Sequence, residues 1–192
     1  MSLTEYLRPR LFDPLGVGAI GWIRDASGRE IGYSGMYAAT EAVAALGQLY
    51  LQGGRWGERQ LLPTEWVAEA SRRQVSTELE ENIDCAQGYG FQFWMARHGY
   101  RGDGAFGQFC LILPEHDAVM AITAQTEDMQ GVLELVWRHL LPALGGPGSA
   151  ASDATLTEQL RGLRLPRCPV NLPRPKQHGR RSPPPPATIS PV

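Results

Sequence analysis

Residues 100–123 read YRGDGAFGQFCLILPEHDAVMAIT, and they carry the clearest structural signal in the sequence. Two short apolar runs, Phe109–Leu113 and Ala118–Thr123, flank the turn sequence Pro114–Asp117. Apolar runs of this length between turn formers are typical of two paired antiparallel strands. Three glycines precede the first run and leave the backbone open to close approach, because they carry no Cβ. The stretch therefore predicts a hairpin, with either a ligand held against its glycine-rich start or glycines that only soften the turn.

The rest of the chain predicts helices before the sheet and one helix after it. Apolar residues at helical spacing indicate helices at 5–11, 40–52, 64–72, 132–144 and, more weakly, 154–163. A strand is expected at 89–96, a pair of extended pieces at 20–23 and 30–33, and an exposed acidic loop at 73–87. This order predicts an α+β fold, an antiparallel sheet with flanking helices, in which the last helix covers the sheet.

Composition narrows the class of protein. The chain has 192 residues, enough for one domain with a core, and 43% hydrophobic and 20% charged residues. Its net charge of −2 argues against nucleic acid as a partner. No run of apolar residues is long enough for a membrane span. The charged N-terminal segment is not a secretory signal, which predicts a cytoplasmic location and leaves the compartment of any longer parent open.

The reactive side chains do not form a metal or cofactor motif. The three cysteines, Cys85, Cys110 and Cys168, are odd in number and show no Cys-x-x-Cys spacing, which argues against a disulfide framework and a structural zinc site. No paired-histidine motif, phosphate loop or dinucleotide fingerprint occurs, so we expect no metal and no cofactor. His98 either faces a cleft beside the glycines or lies on a surface loop.

The composition changes after residue 144. Residues 145–192 begin with Gly145-Gly146-Pro147-Gly148 and end in a segment rich in proline and arginine. Such a segment cannot build an apolar core, so we expect a linker and a disordered tail. The globular part is therefore predicted to span residues 1–144.

Five stretches in order give the chain a family resemblance. They are LTEYLRPRLFDPLGV, WIRDASGREIGYSGMYAAT, LGQLYLQGGRWGERQLLPTEWV, YGFQFWM and GDGAFGQFCLILPEHDAVMAIT. Together they resemble the serine β-lactamase and penicillin-binding-protein superfamily, particularly its esterase-like members. The resemblance covers residues 2–144 and implies a partial β-lactamase/transpeptidase-like fold, the C-terminal part of that domain. The implied activity is acyl transfer from a small-molecule ester or amide through a nucleophilic serine.

The resemblance implies a substrate site at the start of the hairpin. Enzymes of this superfamily hold the substrate carbonyl against a strand whose motif is often a basic residue followed by Thr-Gly. That motif aligns with Gly102, Asp103 and Gly104, followed by Ala105, Phe106 and Gly107, and we expect Phe106 to line the pocket. No basic residue occupies position 102, and Asp103 would place a negative charge beside an anionic substrate. The resemblance therefore favours a neutral ester or amide.

The catalytic motifs of the superfamily are not in this sequence. A Ser-x-x-Lys motif cannot occur, because Lys176 is the only lysine and Pro173 stands three residues before it. Neither Asn82 nor Asn171 completes a Tyr-x-Asn motif. We therefore expect a fragment without its nucleophile, inactive alone. The alternatives are a non-catalytic ligand-binding module and the complementing half of a split hydrolase. A missing half would leave the sheet with an open edge and an uncovered apolar face.

Overall fold

The computed structural model describes residues 1–164. The chain divides into two compact units, Met1–Gly146 and a second unit that begins at Pro147. The part of the second unit that is described holds one exposed helix, whose first turn is capped by the Ser149 side chain. Residues 165–192, which include most of the predicted Pro/Arg-rich tail, lie outside the described residues, so disorder there stays a prediction.

The described residues contain helices and strands in both units, and α5 alone belongs to the second. The α-helices are Leu3–Leu7 (α1), Thr40–Leu51 (α2), Thr64–Ala70 (α3), Met129–Leu135 (α4) and Ala150–Gly162 (α5). The strands are Gly21–Trp22 (β1), Met36–Tyr37 (β2), Arg55–Trp56 (β3), Arg59–Gln60 (β4), Trp94–Met95 (β5), Tyr100–Gly104 (β6), Gln108–Leu113 (β7) and Ala118–Ile122 (β8). No helix of residues 1–164 has both the length and the apolarity that crossing a bilayer requires.

The main sheet is antiparallel and has the order β5-β6-β7-β8. The hairpin predicted from the apolar runs is confirmed, since Leu111 pairs with Met120 and Leu113 with Ala118. Its turn places Asp117 in the left-handed region, at a φ of 48°. The glycine-rich start is itself a strand, β6, in which Gly102 pairs with Cys110 of β7. The α+β prediction is thus correct.

One face of this sheet packs against α2. Cys110 and Ile112 of β7 form a buried core with Phe93 and Tyr100, and Val43 of α2 packs against it. Gly47 lets the helix come close, because a Cβ at this position would stand 2.6 Å from a Val119 methyl and 2.7 Å from the Cys110 sulfur. The glycine therefore sets the distance between helix and sheet.

The other face packs against α4 and the π-helical turn Val136–Leu140 that continues it. Phe109 and Leu111 of β7 meet Leu133, Val136 and Trp137 in a second core. The expected uncovered apolar face is therefore wrong for the described residues, because helices lie on both sides of the sheet. The open edge is present: within residues 1–164 no strand pairs with the outer side of β8.

A third core joins the N-terminal segment to α2. Phe12, Leu15 and Val17 follow α1 and pack on Leu49, which is fully buried in α2. Helix α2 thus contributes to two cores at once, which explains why apolar residues occur around most of its circumference.

Two predicted extended segments differ from the structure. The strand expected at 89–96 is paired with β6 only at Trp94–Met95, because a turn from Gly90 to Phe93 and a φ of 63° at Gln92 interrupt it. β1 pairs with β2 rather than with residues 30–33, which retain one isolated bridge from Glu30 to Arg24. Residues 31–34 form a turn instead, held where the Trp22 indole N–H donates to the Ile31 and Ser34 carbonyls.

Candidate functional site

The six residues expected to bind substrate lie in one hairpin. Gly102, Asp103 and Gly104 end β6, and the next three residues form its turn into β7. Phe106 has a φ of 66° and a side chain that is half exposed. The turn is anchored, because the Thr126 N–H donates to the Phe106 carbonyl at 3.1 Å. The structure therefore brings these residues together at one end of the sheet.

The outer edge of β6 is unpaired beside Gly102–Gly104. β5 pairs with β6 only at Trp94–Arg101 and Met95–Tyr100, so within the described residues the end of β6 has β7 on one side and no strand on the other. The Ala96 N–H donates to the Gly99 carbonyl. Along a strand, successive residues direct their backbone N–H and C=O to opposite sides, so this bond shows which residues of β6 face β5. By that alternation the backbone N–H and C=O of Arg101 face β5, and those of Asp103 face the unpaired edge.

The two glycines of β6 differ in how closely the rest of the chain surrounds them, and only Gly104 is crowded. A Cβ at Gly102 would meet only the Cys110 Cβ, at 3.6 Å, which is ordinary van der Waals contact. A Cβ at Gly104 would stand 3.0 Å from that of Gln108, whose side chain is only partly buried. The space beside Gly102 is thus available to an outside group.

Asp103 does not extend freely from the strand. Its carboxylate accepts a hydrogen bond from the Arg101 Nε at 3.0 Å, and its side chain is 12% exposed. Burial raises the pKa of Asp103, and the Arg101 guanidinium only partly offsets this. The sequence predicts an unpaired negative charge beside the substrate. In the structure the Asp103 carboxylate is paired with Arg101 and lies on the face of β6 opposite Gly102 and Gly104.

Arg101 ties β6 to the loop before β5. Its side chain is 1% exposed, and its guanidinium donates to the Asp84 carbonyl at 3.0 Å and to the Met95 carbonyl at 3.2 Å. It also contacts the Cys85 sulfur at 3.3 Å and lies 5.8 Å from the centre of the Trp94 ring. A buried arginine with this many partners fixes the position of the strand that carries Asp103.

Asp84 is a buried carboxylate that joins three elements. It accepts hydrogen bonds from the Arg97 side chain, from the Gln130 amide of α4 at 2.9 Å and from the Trp137 indole at 3.0 Å. Burial would raise the pKa of Asp84, but the bonds from Arg97, Gln130 and Trp137 outweigh it and hold the pKa well below the usual range. Arg97 also donates to Glu134 at 2.5 Å.

The sequence analysis missed this carboxylate. The sequence predicts an exposed acidic loop at 73–87, whereas the structure shows Asp84 of this loop fully buried. Its position follows from partners distant in sequence, Arg97 and Trp137, so no local pattern marks it. One signal was available: Trp137 follows the apolar face of α4, and a buried indole N–H requires an acceptor.

The histidine and the two cysteines considered as functional candidates are packed among other side chains. His98 packs its ring 5.0 Å from that of Trp137, in the turn at the other end of β6 from Gly104. Burial raises the pKa of the Cys85 thiol, and burial raises that of Cys110 to about 11, so neither is activated as a nucleophile. Residues 1–164 contain no cluster of His, Cys, Asp and Glu side chains that could hold a metal ion.

Comparison with known proteins identifies the family and the fold. The family model described as Beta-lactamase matches residues 1–144. A structure described as "Putative 6-aminohexanoate-dimer hydrolase from Bacillus anthracis" superposes with a TM-score of 0.61 at 22% identity, over 76% of this chain and 40% of that one. Another, "putative beta-lactamase from Bacteroides dorei DSM 17855", gives a TM-score of 0.48 at 16% identity, over 62% and 44%. No curated protein matches. The chain thus spans less than half the length of either structure.

Proposed function

The chain belongs to the beta-lactamase family, and we propose that it forms the substrate-binding side of a serine hydrolase that transfers the acyl group of a neutral ester or amide. Within this role, Gly102–Gly107 hold the substrate, and the nucleophilic serine with its proton acceptor is supplied from outside the described residues. The family and the fold are findings, whereas the reaction, the substrate class and the division of labour are the proposal.

The unpaired edge of β6 is the observation that supports this role. An extended acyl substrate can add to a free strand edge by backbone hydrogen bonds, as a peptide does in β-augmentation. Asp103 offers its N–H and C=O to that edge, and Gly102 and Gly104 on either side add no side chain. A backbone N–H directed at a carbonyl oxygen also stabilises the oxyanion that forms during acyl transfer.

The charge balance at this edge supports a neutral substrate. Arg101 is occupied by Asp103 and by the Asp84 and Met95 carbonyls, so it does not extend toward a ligand carboxylate. The six substrate residues contain no cation, and their only charged member is paired. An anionic substrate would lose its hydration at this edge without gaining a charged partner, which disfavours its binding.

Catalysis by acyl transfer needs an activated nucleophile, which this sequence does not provide in the family's form. A serine becomes reactive when a base accepts its proton, and a Ser-x-x-Lys motif does so with the lysine one helical turn later. Lys176, the only lysine, has Pro173 at the serine position and lies outside the described residues. We therefore expect the chain alone to bind substrate without turning it over.

The nucleophile is tested by chemical labelling. The purified chain is incubated with a chromogenic neutral ester and, separately, with a fluorophosphonate serine probe. The expected result is ester hydrolysis at the rate of buffer and no stoichiometric label. Labelling of one serine, lost in its Ser→Ala variant together with hydrolysis, would show that the chain contains its own nucleophile.

The binding site is tested by ligand-induced thermal stabilisation. A neutral ester and the corresponding amide should raise the melting temperature, because a ligand that binds only the folded state stabilises it. The matching free carboxylate should have a smaller effect. Gly102→Val should abolish the shift by crowding the strand, whereas Gly18→Ala, with no atom within 4 Å of the added Cβ, should retain it. Equal shifts in the two variants would contradict this site.

A second candidate is complementation by another polypeptide segment that carries Ser-x-x-Lys. The missing motif favours it, since the substrate side of a hydrolase is useful only beside a nucleophile. Mixing the chain with a family N-terminal segment that contains the motif should then restore ester hydrolysis. The Ser→Ala form of that segment should restore none. If activity also appears with the alanine form, the nucleophile belongs to this chain and the complementation hypothesis is wrong.

A further inference from the structure

Hydrogen bonds join the substrate strand β6 to α4 through one buried residue, Asp84. The Trp137 indole N–H and the Gln130 amide donate to its carboxylate at 3.0 Å and 2.9 Å. Its backbone carbonyl accepts from the Arg101 guanidinium at 3.0 Å. Arg101 in turn donates from Nε to the Asp103 carboxylate, also at 3.0 Å. These bonds connect α4 and the turn after it to the residue whose backbone faces the unpaired edge of β6.

The two residues in the middle of this connection have little freedom to move. Asp84 is fully buried and Arg101 almost so. The Asn82 side chain accepts from the Asp84 backbone N–H at 3.0 Å, and the Met95 carbonyl accepts a further Arg101 bond at 3.2 Å. Protein interiors are close-packed, so a displaced buried group shifts its neighbours. A change at the Asp84 carboxylate is therefore expected to shift β6.

Gln130 shows that the bonds to Asp84 come at a cost. Its Nε2 donates to Asp84 at 2.9 Å and to Glu134 at 3.0 Å. Its Oε1 is buried and has no hydrogen-bond partner among the described residues. A buried acceptor without a partner lowers stability, which offsets what the two N–H bonds contribute. Holding the Asp84 carboxylate in place explains this side chain better than a gain in stability does.

We propose that Asp84 is a positioning residue for the substrate: through Arg101 it orients the backbone of Asp103, and Trp137 and Gln130 affect binding through it. This inference rests on the proposed function, because it takes the unpaired edge of β6 as the substrate side. The four side chains that act on Asp103 do so from the face of the sheet that α4 covers. A hydrogen bond weakens steeply as its angle departs from linear, so a small rotation of β6 lowers substrate affinity.

Ligand affinity, measured where every variant is folded, tests this role. The probe is butyranilide, a neutral secondary amide, titrated calorimetrically into the full chain. Trp137→Phe removes the indole N–H and keeps an aromatic ring, and it should weaken binding about threefold or more, as changes remote from a ligand can do. Trp22→Phe is the matched control. It also removes indole bonds, to the Ile31 and Ser34 carbonyls, but packs in another core and should leave the affinity unchanged.

Gln130→Met separates positioning from stability and does not depend on the tryptophan variant. It removes one bond to Asp84 together with the oxygen that lacks a partner, so the melting temperature should change little while the affinity for butyranilide falls. The Asp103 amide signal in a nitrogen–proton correlation spectrum gives a second readout that needs no ligand. It should move in Gln130→Met and in Trp137→Phe, and stay in place in Trp22→Phe.

Two results would overturn the positioning role. One is an unchanged affinity in both Trp137→Phe and Gln130→Met, with circular dichroism showing that both are folded. The other is an Asp103 amide signal that moves in neither variant. Binding of butyranilide by the unmodified chain tests the proposed function, whereas the variants test the positioning role, so the two can fail separately. An unmodified chain that binds no amide would contradict both.

Discussion

Arg101 and Asp103 form an ion pair across Gly102, with 3.0 Å between the arginine Nε and a carboxylate oxygen. Both side chains lie on the face of β6 that is directed away from the two glycines, and both are largely buried. Two charges of opposite sign, two residues apart on a strand, thus neutralise each other beside the edge where we place the substrate.

Removal of Arg101 should be among the most damaging single changes in the chain. Arg101→Met deletes the bonds to Asp103, to the Asp84 carbonyl and to the Met95 carbonyl, and leaves a buried carboxylate unpaired. Breaking such a pair costs about 3–5 kcal/mol of unfolding free energy, measured by urea denaturation. Arg73→Met, which breaks an exposed pair with Glu78, should change the midpoint little.

The double variant Arg101→Met/Asp103→Asn separates charge burial from packing. If the unpaired carboxylate causes most of the loss, the double variant should be more stable than Arg101→Met alone. Strict additivity of two losses would contradict this explanation and would point to packing of the arginine stem instead.

The hydrogen bonds of Asp84 to Arg97, Gln130 and Trp137 should contribute to the unfolding free energy, because they join the loop before β5 to α4 and the turn after it. Asp84→Asn weakens the bonds from Arg97, Gln130 and Trp137 and should lower the unfolding free energy by about 2–4 kcal/mol. Glu78→Gln, in an exposed pair of the same loop, is the matched control and should leave the denaturation midpoint nearly unchanged. In a double-mutant cycle with Trp137→Phe, the two changes should be less than additive. Full additivity would mean that the indole bond contributes nothing to stability.

The two buried carboxyls should affect the pH dependence of stability with opposite sign. The folded pKa of Asp84 is lowered, so its stabilisation is complete above the unfolded value of about 3.9 and is lost as pH falls through the folded pKa. The folded pKa of Asp103 is raised, so the folded state gains relative stability as pH falls through that pKa toward the unfolded value.

Carboxyl carbon titration by NMR measures both groups directly. Asp84 should titrate below, and Asp103 above, the ordinary aspartate range. In urea unfolding, the Asp84→Asn variant should lose less stability than the unmodified chain as the pH falls. The Asp103→Asn variant should lack the stability that the unmodified chain gains when Asp103 is protonated. Titration of both groups at the ordinary value would show that neither environment is as the structure describes.

Gly47 should resist substitution although it lies inside a helix. Alanine gains about 1 kcal/mol from helix propensity, but its Cβ would stand 2.6 Å from Val119 and 2.7 Å from Cys110. Overpacking of this kind costs about 1–3 kcal/mol, so Gly47→Ala should be destabilising on balance. Gly162→Ala in α5, with nothing within 4 Å of the new Cβ, shows the propensity effect alone and should be neutral or stabilising.

Val119→Ala in the Gly47→Ala background tests whether contact with the sheet is the cause. Removal of two methyl groups should recover part of the loss, although Val119→Ala alone costs stability. If it recovers nothing, the helix does not press on β8 at this point.

The sheet and the helices were predictable because their signals are local. The two apolar runs around Pro114–Asp117 are short, bounded by turn formers and paired with each other, so their pairing follows from adjacent sequence. Helix α2 is indicated by apolar spacing and by Gly53-Gly54, which have positive φ where the helix ends. The predicted helix at 132–144 begins three residues earlier in the structure, where the Asp128 side chain caps the Gly131 N–H.

The network beneath the candidate site was not predictable from local pattern. Asp84 belongs to an acidic segment that resembles a solvated loop, and its burial depends on Arg97 and on Trp137, 53 residues away. Strand β5 is short because Gln92 adopts a left-handed conformation, which its sequence does not require. The six residues at 102–107 form one continuous segment, as any consecutive residues do, and their role in binding substrate stays a prediction. The direction of the Asp103 side chain follows from its contact with Arg101, which no local pattern indicates.

The central position of β7 determines how the first unit comes apart. From Gln108 to Leu113 it has a strand on each side and a helix layer on each face, and five of its six residues are buried. Local opening begins where backbone bonds are few and exposed, so the two-residue strand β5 should fray before β7, and the amides of β7 should exchange with solvent last. Proteases and solvent will therefore reach the edges of this unit long before its centre, and the substrate strand, one position from β7, keeps its shape while its surroundings fluctuate.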